Sequence, residues 1–437
     1  MSGKETHHPS TAADFARWII ERLSEGGHQA LLAGGCVRDR LLGKRPKDYD
    51  VATSATPDQV RAIFGHRRTI PVGAAFGVIT VIGDKETGNV EVATFRYDGG
   101  YSDGRHPDHV TYSNAEHDAQ RRDFTINGLF FDPLQDAVVD YVQGQVDLDR
   151  RLIRAIGNPH DRFNEDHLRM LRAVRFATVL DFEIELETLA AIQELAHQIL
   201  TISGERIAAE MQRLLASPRR GRGLSLLDQS GLLLHLLPQW NLQMESSRST
   251  LTTICQDLDR SPIAGSDLEV SLSIVTLRQL LAIEPATQPI LGNPLLSQLA
   301  QVMNGVVHAW KLSNESKAVF HAIQIHLPTI ACASQLPWSQ LQPTLIAPKI
   351  HAVLDVAAGL TIGGWISDED VELCRRHLSR PIDELNPPPL LTGDELKKRG
   401  FAEGPRMGRC LAELRRKQLD QELSTPDAAW DWVRSQL

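Results

Sequence analysis

Two aspartates separated by one residue place the strongest constraint on how this chain can fold. Asp48 and Asp50 lie in the run Lys47-Asp48-Tyr49-Asp50-Val51-Ala52-Thr53, whose Tyr, Val and Thr residues favour an extended strand. Alternate residues of a strand project to the same face, so both carboxylates would lie side by side. Two like charges are costly to bury without a partner, and oxygen-only ligands suit Mg²⁺. The pair predicts a magnesium site for phosphoryl or nucleotidyl transfer, although an isolated Asp-x-Asp more often marks an exposed strand edge.

A glycine turn precedes this segment. Gln29–Ala33 predicts a short strand that runs into Gly34 and Gly35, followed by a helix from about Val37 to Leu42. Backbone N–H groups at such a turn can hold a phosphate, and Arg38 adds positive charge. The Gly-Lys-Ser/Thr ending of a P-loop is missing, so the turn predicts a phosphate site of another kind.

Two apolar runs predict further strands of the same sheet. They are Val78–Ile82 and Val90–Phe95, separated by a turn at Asp84–Asn89. Glu91 lies in the second run. It is a candidate third carboxylate for the metal site, and an exposed strand residue is an equally good interpretation.

The next segment is polar and without periodicity. Asp98–Asp118 is rich in Gly, Asp, His and Tyr, which predicts a long functional loop. Arg121, Arg122 and Asp123 follow it directly. Two arginines and an aspartate around one turn can hold a triphosphate and a ribose hydroxyl, and a surface charge cluster is the alternative.

Glu165–Phe176 contains good helix formers and predicts a helix. Its inward face would consist of Leu168, Leu171, Val174 and Phe176. Asp166 and Arg169 are three residues apart and therefore neighbours on a helix, where the alternative interpretation is an ordinary salt bridge.

A carboxylate beside a guanidinium presents an acceptor next to a donor. Cytosine and adenine offer the complementary amine and ring nitrogen, whereas uracil and guanine offer a carbonyl and an N–H. The Asp166–Arg169 pair thus predicts acceptance of CTP and ATP. Arg172 and Arg175 continue at three-residue steps but rotate away, so they are expected to orient Asp166 or to bind phosphate.

Composition limits the class of protein. The 437 residues suggest about three units, and 42% hydrophobic with 23% charged residues is typical of a folded soluble protein. The sequence has no apolar run long enough to cross a membrane and a polar N-terminus, so no membrane partner and a cytoplasmic location are expected. The five scattered cysteines suggest neither a zinc site nor a disulfide framework.

The charge is unevenly distributed. The net charge is −9, yet residues 397–417 carry eight Lys or Arg against two acids, and residues 205–222 carry five Arg against two Glu. Such basic patches are compatible with binding a polyanion.

Taken together, four segments resemble, in order and spacing, motifs of the class II tRNA nucleotidyltransferase family, which comprises the CCA-adding enzymes and the bacterial poly(A) polymerases. The segments are Gly34–Asp39, Asp48–Asp50, Arg121–Asn127 and Glu165–Arg169. The resemblance covers roughly residues 28–215, and four motifs in order are far more specific than one.

The resemblance implies roles residue by residue. Asp48 and Asp50 would be the metal ligands for Mg²⁺. Glu91 is a further catalytic candidate on the strand pattern alone. Gly34, Gly35, Arg38 and Arg122 would contact the triphosphate and sugar, and Asp123 would stand where the family touches the ribose. Asp166, Arg169, Arg172 and Arg175 would form the amino-acid template that reads the base.

The resemblance also implies an α+β fold, with an N-terminal nucleotidyltransferase sheet of the polymerase-beta type and an all-helical remainder. The predicted parts are a head (1–150), a neck with the base template (151–240), a helical body (241–385) and a C-terminal RNA-binding tail (386–437). Pro387-Pro388-Pro389 marks the last boundary. The helix predicted at Leu268–Leu281 lacks the adjacent His-Asp pair of a phosphohydrolase, so that activity is not expected.

The predicted function is Mg²⁺-dependent addition of C and A from CTP and ATP to the 3′ end of tRNA, with release of pyrophosphate. Addition of A alone or of CC alone and poly(A) synthesis are alternatives within the family, although the intact Asp98–Asp118 segment weighs against CC alone. For the tail, a small dimerisation domain is the alternative. A non-catalytic RNA-binding protein is the rival from another class, and the sequence leaves the oligomeric state open.

Overall fold

The computed structural model describes residues 10–99, 109–237, 245–261, 267–283 and 293–436. The chain divides into two compact units. The first comprises Met1–Glu210 and Leu226–Leu236, and the second comprises Met211–Ser225 and Leu237–Leu437. The finer division into head, neck, body and tail stays a prediction.

The first unit contains the sheet. Its strands are β1 (Ala30–Ala33), β2 (Asp50–Thr53), β3 (Thr69–Gly73), β4 (Val78–Val81), β5 (Val90–Thr94), β6 (Arg96–Gly99), β7 (His109–Tyr112), β8 (Phe130–Asp132), β9 (Ala137–Val139), β10 (Leu152–Ile153) and β11 (Glu183–Ile184). Seven of them form one sheet in the order β3-β4-β5-β2-β1-β8-β9. Within it β2 and β5 run parallel, and every other neighbouring pair is antiparallel.

Helices make up most of the remainder. The first unit contributes α1 (Ala12–Glu25), α2 (Gly35–Leu41), α3 (Pro57–Phe64), α4 (Ala115–Gln120), α5 (Gly144–Asp149), α6 (Pro159–Glu165), α7 (Leu168–Leu180) and α8 (Leu186–Leu195). They are followed by α9 (Gly204–Leu215), α10 (Arg220–Gln229), α11 (Leu232–Leu236), α12 (Glu245–Arg260), α13 (Asp267–Ile283), α14 (Asn293–Ala309), α15 (Asn314–Ile330), α16 (Trp338–Leu345), α17 (Ile350–Thr361), α18 (Asp368–Leu378), α19 (Ile382–Leu385), α20 (Gly393–Lys398), α21 (Pro405–Leu419) and α22 (Pro426–Ser435). The α+β class is confirmed, although the short parallel pair β10–β11 interrupts the all-helical remainder.

Local sequence signals explain several helix starts. α1 begins after Thr11, whose side chain accepts from the Asp14 N–H. α3 begins with a complete capping box, in which Thr56 and Gln59 satisfy each other's backbone N–H groups. A second capping box starts α20 at Thr392.

The apolar faces of the sheet and its helices form the core that supports the site. One buried cluster consists of Leu31, Ala33, Ala52, Phe95, Ala115, Ala119 and Phe130. It joins β1, β2 and β8 to α4. The strands that carry Asp50 and Gly34 at their ends are therefore anchored by their own buried residues.

The predicted loop at Asp98–Asp118 is wrong at both ends. β6 pairs with β7 in an antiparallel ribbon, and α4 begins at Ala115 with the Asn114 side chain as its cap. Val110, Thr111 and Tyr112 are strand formers, and the Gly, Asp and His residues around them concealed this signal. Residues 100–108 lie outside the described part of the chain.

The second unit is helical in its described parts. The residues from Leu391 onward have an apolar cluster of their own, which includes Leu396, Phe401, Met407 and Leu414. Among the described residues, no single helix is long and apolar enough to cross a bilayer. α16 and α17 satisfy that test only when taken together, and they are bent by 110°.

Burial predicts how the sheet responds to the same substitution at two sites. Val81 in β4 is fully buried, whereas Val72 in the edge strand β3 is 90% exposed. Val81→Ala should lower the free energy of unfolding by about 2 kcal/mol, because it removes buried methyl groups and leaves a cavity. Val72→Ala should stay within about 0.5 kcal/mol of wild type. Urea unfolding followed by circular dichroism measures both, and equal losses would contradict the assigned burial.

Candidate active site

The glycine turn connects β1 to α2. Gly34 has φ +71°, a left-handed conformation that favours glycine, and its N–H donates to the Leu129 carbonyl. A Cβ atom at Gly34 would lie 2.9 Å from Nη1 of Arg122. The absence of a side chain at this position thus gives the Arg122 guanidinium room against the turn.

Arg38 projects from α2 and is mostly buried. Its Nη1 donates to Oδ1 of Asn127 over 2.7 Å, and its Nε and Nη2 donate to Oδ1 of Asp39 over 2.9 and 2.7 Å. The guanidinium also lies 5.3 Å from the ring centre of Phe176. Arg38 is therefore held in one orientation.

The predicted strand over residues 47–53 begins only at Asp50. The neighbouring strand β1 ends at Ala33, where the chain turns at Gly34, so residues 47–49 have no strand beside them on that side. Asp48 is exposed in a bend just before β2. The two aspartates are not alternate residues of one strand, which corrects the prediction.

The second carboxylate beside Asp50 comes from another strand. In the parallel pair β2–β5, Asp50 is in register with Glu91, so both side chains project to the same face. Desolvation, Glu91 and Asp48 raise the pKa of Asp50, while Arg122 opposes that rise. Asp48, Asp50, Glu91 and Arg122 thus lie close enough to influence one charge.

Arg121 and Arg122 are held by Asp118, a residue for which the sequence predicted no role. Asp118 is 1% exposed and accepts from Nε of Arg121 over 2.8 Å and from Nη2 of Arg122 over 3.0 Å. Although desolvation opposes the shift, Arg122 and Arg121 lower the pKa of Asp118. Its spacing of three and four residues from the two arginines is the sequence signal that could have identified it.

Asp123 is a buried carboxylate whose two oxygens are both occupied. Oδ1 accepts from the Phe124 N–H over 2.8 Å and from Nδ2 of Asn127 over 3.0 Å. Oδ2 accepts from Nε and Nη2 of Arg172 over 2.9 and 2.6 Å. Desolvation opposes ionisation, but Arg172 and Asn127 lower the pKa of Asp123 to about 2. Its predicted contact with a ribose stays a prediction.

The predicted helix over 165–176 is interrupted at Asp166, the residue predicted to read the base. α6 ends at Glu165, α7 starts at Leu168, and Asp166 between them is extended, with φ −151° and ψ 103°. The four residues predicted to face inward, Leu168, Leu171, Val174 and Phe176, are buried as expected. At the interruption Oδ1 of Asp166 accepts from the Leu168 N–H over 3.1 Å, a local side-chain bond that competes with a continuous helix.

The side chains of Asp166 and Arg169 do not pair with each other, although the Arg169 N–H donates to the Asp166 carbonyl over 3.0 Å. The Asp166 carboxylate accepts from Arg206 on α9, with contacts of 3.2 and 2.7 Å. Arg169 donates to Oε2 of Glu165 over 2.6 Å and to the carbonyl of Arg121 over 3.3 Å. The ordinary salt bridge between the two side chains, which was the alternative interpretation, is therefore not formed, because each group has a separate partner.

Arg172 and Arg175 do not orient Asp166 by hydrogen bonds. Arg172 pairs with Asp123, and Nε of Arg175 donates to Oε2 of Glu210. Glu210 is 3% exposed and also lies 3.8 Å from Nη1 of Arg172. The sequence analysis assigned no role to Arg206 or Glu210 on α9. Their only distinguishing feature in the sequence is that they are charged residues on an amphipathic helix.

The Asp123–Arg172 pair predicts an acid-sensitive contribution to stability. Asp123→Asn leaves Arg172 without its nearest carboxylate, so the free energy of unfolding should fall by about 2–3 kcal/mol near pH 7. The folded-state pKa of about 2 lies below the ordinary 3.8. The stabilisation is therefore present above about pH 4 and is lost as the pH falls towards 2. Urea unfolding of both proteins should show a smaller difference at pH 3 than at pH 7, and a constant difference would refute the assignment.

Two protein-family models match parts of this chain. The sequence matches the family model of the poly A polymerase head domain over residues 30–154. Residues 181–244 match the model described as the probable RNA and SrmB-binding site of polymerase A. The predicted site residues from Gly34 to Asp123 lie within the first match, and Asp166 lies outside it.

Curated relatives match along almost the whole chain. The CCA-adding enzyme of Limosilactobacillus reuteri (strain DSM 20016) is 34% identical, with 91% of this chain and 90% of the relative covered. That of Lactococcus lactis subsp. lactis (strain IL1403) is 32% identical, with 95% of each covered.

Solved structures of CCA-adding enzymes are similar in fold to this chain. The Bacillus stearothermophilus CCA-adding enzyme in complex with CTP gives a TM-score of 0.73 at 27% identity, over 97% of this chain and 98% of that one. The Thermotoga maritima CCA-adding enzyme, complexed with tRNA, gives a TM-score of 0.65 at 18% identity, over 97% and 95%, and this likeness supports the fold. On the identity and coverage of its curated relatives, the chain belongs to the family of CCA-adding enzymes.

Proposed function

We propose that this protein adds C and A nucleotides from CTP and ATP to the 3′ end of tRNA in the cytoplasm, releasing pyrophosphate at each step. The observation that carries the proposal is the similarity to CCA-adding enzymes over nine-tenths of both chains. It is supported by the register of Asp50 with Glu91 at one end of the parallel pair. The solved relatives include complexes with CTP, ATP and tRNA, which suggests the same substrates here.

The carboxylates fit a magnesium requirement. Asp48 and Asp50 would hold Mg²⁺, and Glu91 adds negative charge beside them. Within the described residues, no three His, Cys, Asp or Glu side chains are close enough together to enclose a metal ion. This agrees with Mg²⁺, which takes one or two carboxylates and completes its coordination with water and substrate phosphates. When bound, it would promote ionisation of the attacking hydroxyl and neutralise charge on the phosphates.

The chain's own residues would bind the triphosphate. Arg122, beside Gly34, and Arg38 on α2 provide guanidinium groups whose orientation is fixed by Asp118, Asp39 and Asn127. Guanidinium groups bind phosphate through paired hydrogen bonds, and fixed ones lose little entropy on binding. Gly34 and Gly35 would allow the phosphates to approach the backbone closely.

Asp166 and Arg169 would read the base. The carboxylate would accept from the exocyclic amine of cytosine or adenine, and the guanidinium would donate to the adjacent ring nitrogen. Uracil and guanine would place a carbonyl against Asp166 and an N–H against Arg169. Arg172 and Arg175 would support this template through their bonds to Asp123 and Glu210.

The chemical step is a nucleotidyl transfer. The 3′-hydroxyl oxygen of the tRNA attacks the α-phosphorus, its proton is released, and the bond to the β-phosphate oxygen breaks to give pyrophosphate. Arg38 and Arg122 would hold the leaving group in line with the attacking oxygen. Water would be displaced from the site by the nucleotide and the RNA end.

The C-terminal segment would bind the body of the tRNA. Two of its basic residues have acidic partners. Arg416 pairs with Glu413, and Lys417 pairs with Glu422. Lys398 and Arg409 are exposed. These two would contact backbone phosphates, which fix position without reading sequence.

Poly(A) synthesis is the second candidate, because the head matches a model named for poly A polymerase. We would incubate the protein with Mg²⁺ and tRNA transcripts that end before CCA, after C and after CC, with each labelled nucleotide alone and with CTP plus ATP. Addition of CCA and nothing further to the first transcript is expected. Addition of A alone, and only to the CC-ended transcript, would support an A-adding enzyme. A long A tail would support a poly(A) polymerase, and no incorporation would support a non-catalytic protein.

The carboxylates should be essential for the chemical step. Asp48→Asn and Asp50→Asn should each lower the rate of CMP incorporation by more than about a hundredfold, because a neutral amide is a poor magnesium ligand. The matched control is Asp58→Asn, at an exposed position in the first turn of α3. Single-turnover assays at saturating CTP measure the rate. Near-normal rates in both variants would exclude this pair as the metal site.

A methyl group at the glycine turn should weaken nucleotide binding. Gly34→Ala places Cβ 2.9 Å from Arg122, whereas Gly43→Ala has nearly the same φ (+69°) and nothing within 4 Å. Both variants incur backbone strain because φ is positive, and Gly34 also has ψ −127°, outside the left-handed helical region, so its strain is the larger. Only Gly34→Ala should raise the KM for CTP, by about tenfold, because it displaces Arg122. Equal KM values for the two variants would separate Arg122 from the triphosphate site.

A further inference from the structure

We infer that a basic corner of the sheet, formed by His66, Arg67 and Arg68, binds the sugar–phosphate backbone of the priming RNA a few nucleotides before its 3′ end. The inference rests on the proposed function and deepens it, because it names an RNA contact in the unit that carries Asp50 and Glu91. It follows from the strand register, which places two exposed arginines at the same end of the sheet as these carboxylates.

An open row of side chains joins the carboxylates to the edge strand β3. Asp50 of β2 pairs with Glu91 of β5, and Glu91 in turn pairs with Thr80 of β4. Thr80 pairs with Ile70 of β3. Cross-strand partners project to the same face of a sheet, and none of these four residues is buried. An RNA strand that ends at Asp50 can therefore lie across this face towards β3.

The basic corner stands directly at the start of β3. The Arg68 carbonyl accepts from the Ile82 N–H over 2.9 Å, so the pairing of β3 with β4 extends to Arg68. Three strand spacings separate β2 from β3. At about 4.8 Å each they amount to about 14 Å across the sheet. RNA covers that distance in a few nucleotides.

The two arginines of the basic corner have charge available for a ligand. Arg67 and Arg68 are exposed, and neither forms an ion pair or a side-chain hydrogen bond with another residue that the structure describes. The turn between β4 and β5 lies at the same end of the sheet. Its Asp84 carboxylate is bonded within the turn, and Lys85 and Glu86 offset each other. The corner therefore stays positive, as a contact for a polyanion requires.

The backbone of the basic corner is fixed, although its side chains are exposed. The Arg68 N–H and the Thr69 hydroxyl both donate to the Gly65 carbonyl, over 3.1 and 3.0 Å. Nη2 of Arg61 lies 2.6 Å from Nδ1 of His66. A guanidinium can only donate, so Nδ1 accepts and the His66 ring carries its proton on Nε2. The corner thus offers two cations and one neutral donor to phosphate oxygens.

These groups suit the RNA backbone rather than its bases. Contacts from arginine to phosphate fix the position of a strand without reading its sequence. The basic corner would hold the priming strand whatever its bases, whereas Asp166 and Arg169 would read the incoming nucleotide. Loss of the corner should therefore weaken the use of RNA and leave the use of CTP unchanged.

The test compares wild type with Arg67→Ala/Arg68→Ala and Arg67→Lys/Arg68→Lys. The alanine variant should raise the KM for a tRNA transcript that ends before CCA by about tenfold or more at about 0.1 M salt, because it removes two phosphate contacts. The slope of log kcat/KM for RNA against log salt concentration should become shallower by about 1.5. The lysine variant keeps the charge, so its KM for RNA should stay within about threefold of wild type.

A short hairpin transcript with the same 3′ strand locates the contact. The alanine variant should raise its KM by the same factor, because the contact lies a few nucleotides from the 3′ end. The matched control is Arg17→Ala/Arg22→Ala, which removes two arginines of the same unit that already pair with Glu21 and Glu25. This control should keep the wild-type KM for both transcripts.

Four results would overturn the inference. They are an unchanged KM for RNA in the alanine variant, an equal rise in its KM for CTP, an effect that disappears with the hairpin, and a lysine variant as weak as the alanine variant. If wild type incorporates no nucleotide, the proposed function fails instead. Filter binding of the same transcript without nucleotide then tests the basic corner, where weaker binding by the alanine variant supports the contact and equal binding overturns it.

Discussion

The ion pair between buried Asp123 and partly exposed Arg172 is the contact on which the rest of the site depends. It joins the segment that follows α4 to the middle of α7, and Asn127 extends it to Arg38 on α2. The glycine turn and the template helix are thereby parts of one hydrogen-bonded unit. The attraction within such a pair is strong away from water, and its desolvation cost is met here by four hydrogen bonds to Asp123.

The ion pair between Asp123 and Arg172 also reduces the repulsion among neighbouring arginines. The guanidinium groups of Arg38, Arg172 and Arg175 lie within 5.3 Å of the centre of one ring, that of Phe176. Three cations around one ring repel each other, and the ring face offsets only part of that repulsion. The carboxylates of Asp123 and Glu210 offset more of it. A polyphosphate would meet a site whose positive groups are close together yet individually balanced.

Sequence patterns predicted the parts of the fold that local rules govern. The buried face of α7 was predicted from helical spacing, and the capping boxes at Thr56 and Thr392 obey the same kind of local rule. The partners in the site did not follow, since they join residues that are far apart in the chain. Asp166 pairs with Arg206, forty positions away in the sequence. That contact depends on how α9 packs, which helical periodicity does not reveal. Polar composition likewise concealed the β6–β7 ribbon.

The parallel pairing of β2 with β5 has a consequence for the order of folding. Every other neighbouring pair in the seven-stranded sheet is antiparallel, whereas these two strands require the intervening chain to cross over. Asp50 and Glu91 thus meet only through a contact between distant residues, which closes later than a local hairpin. A growing chain would have no paired carboxylates until β3, β4 and β5 had been synthesised and docked. A head that lacked β5 would therefore have Asp50 without Glu91 beside it.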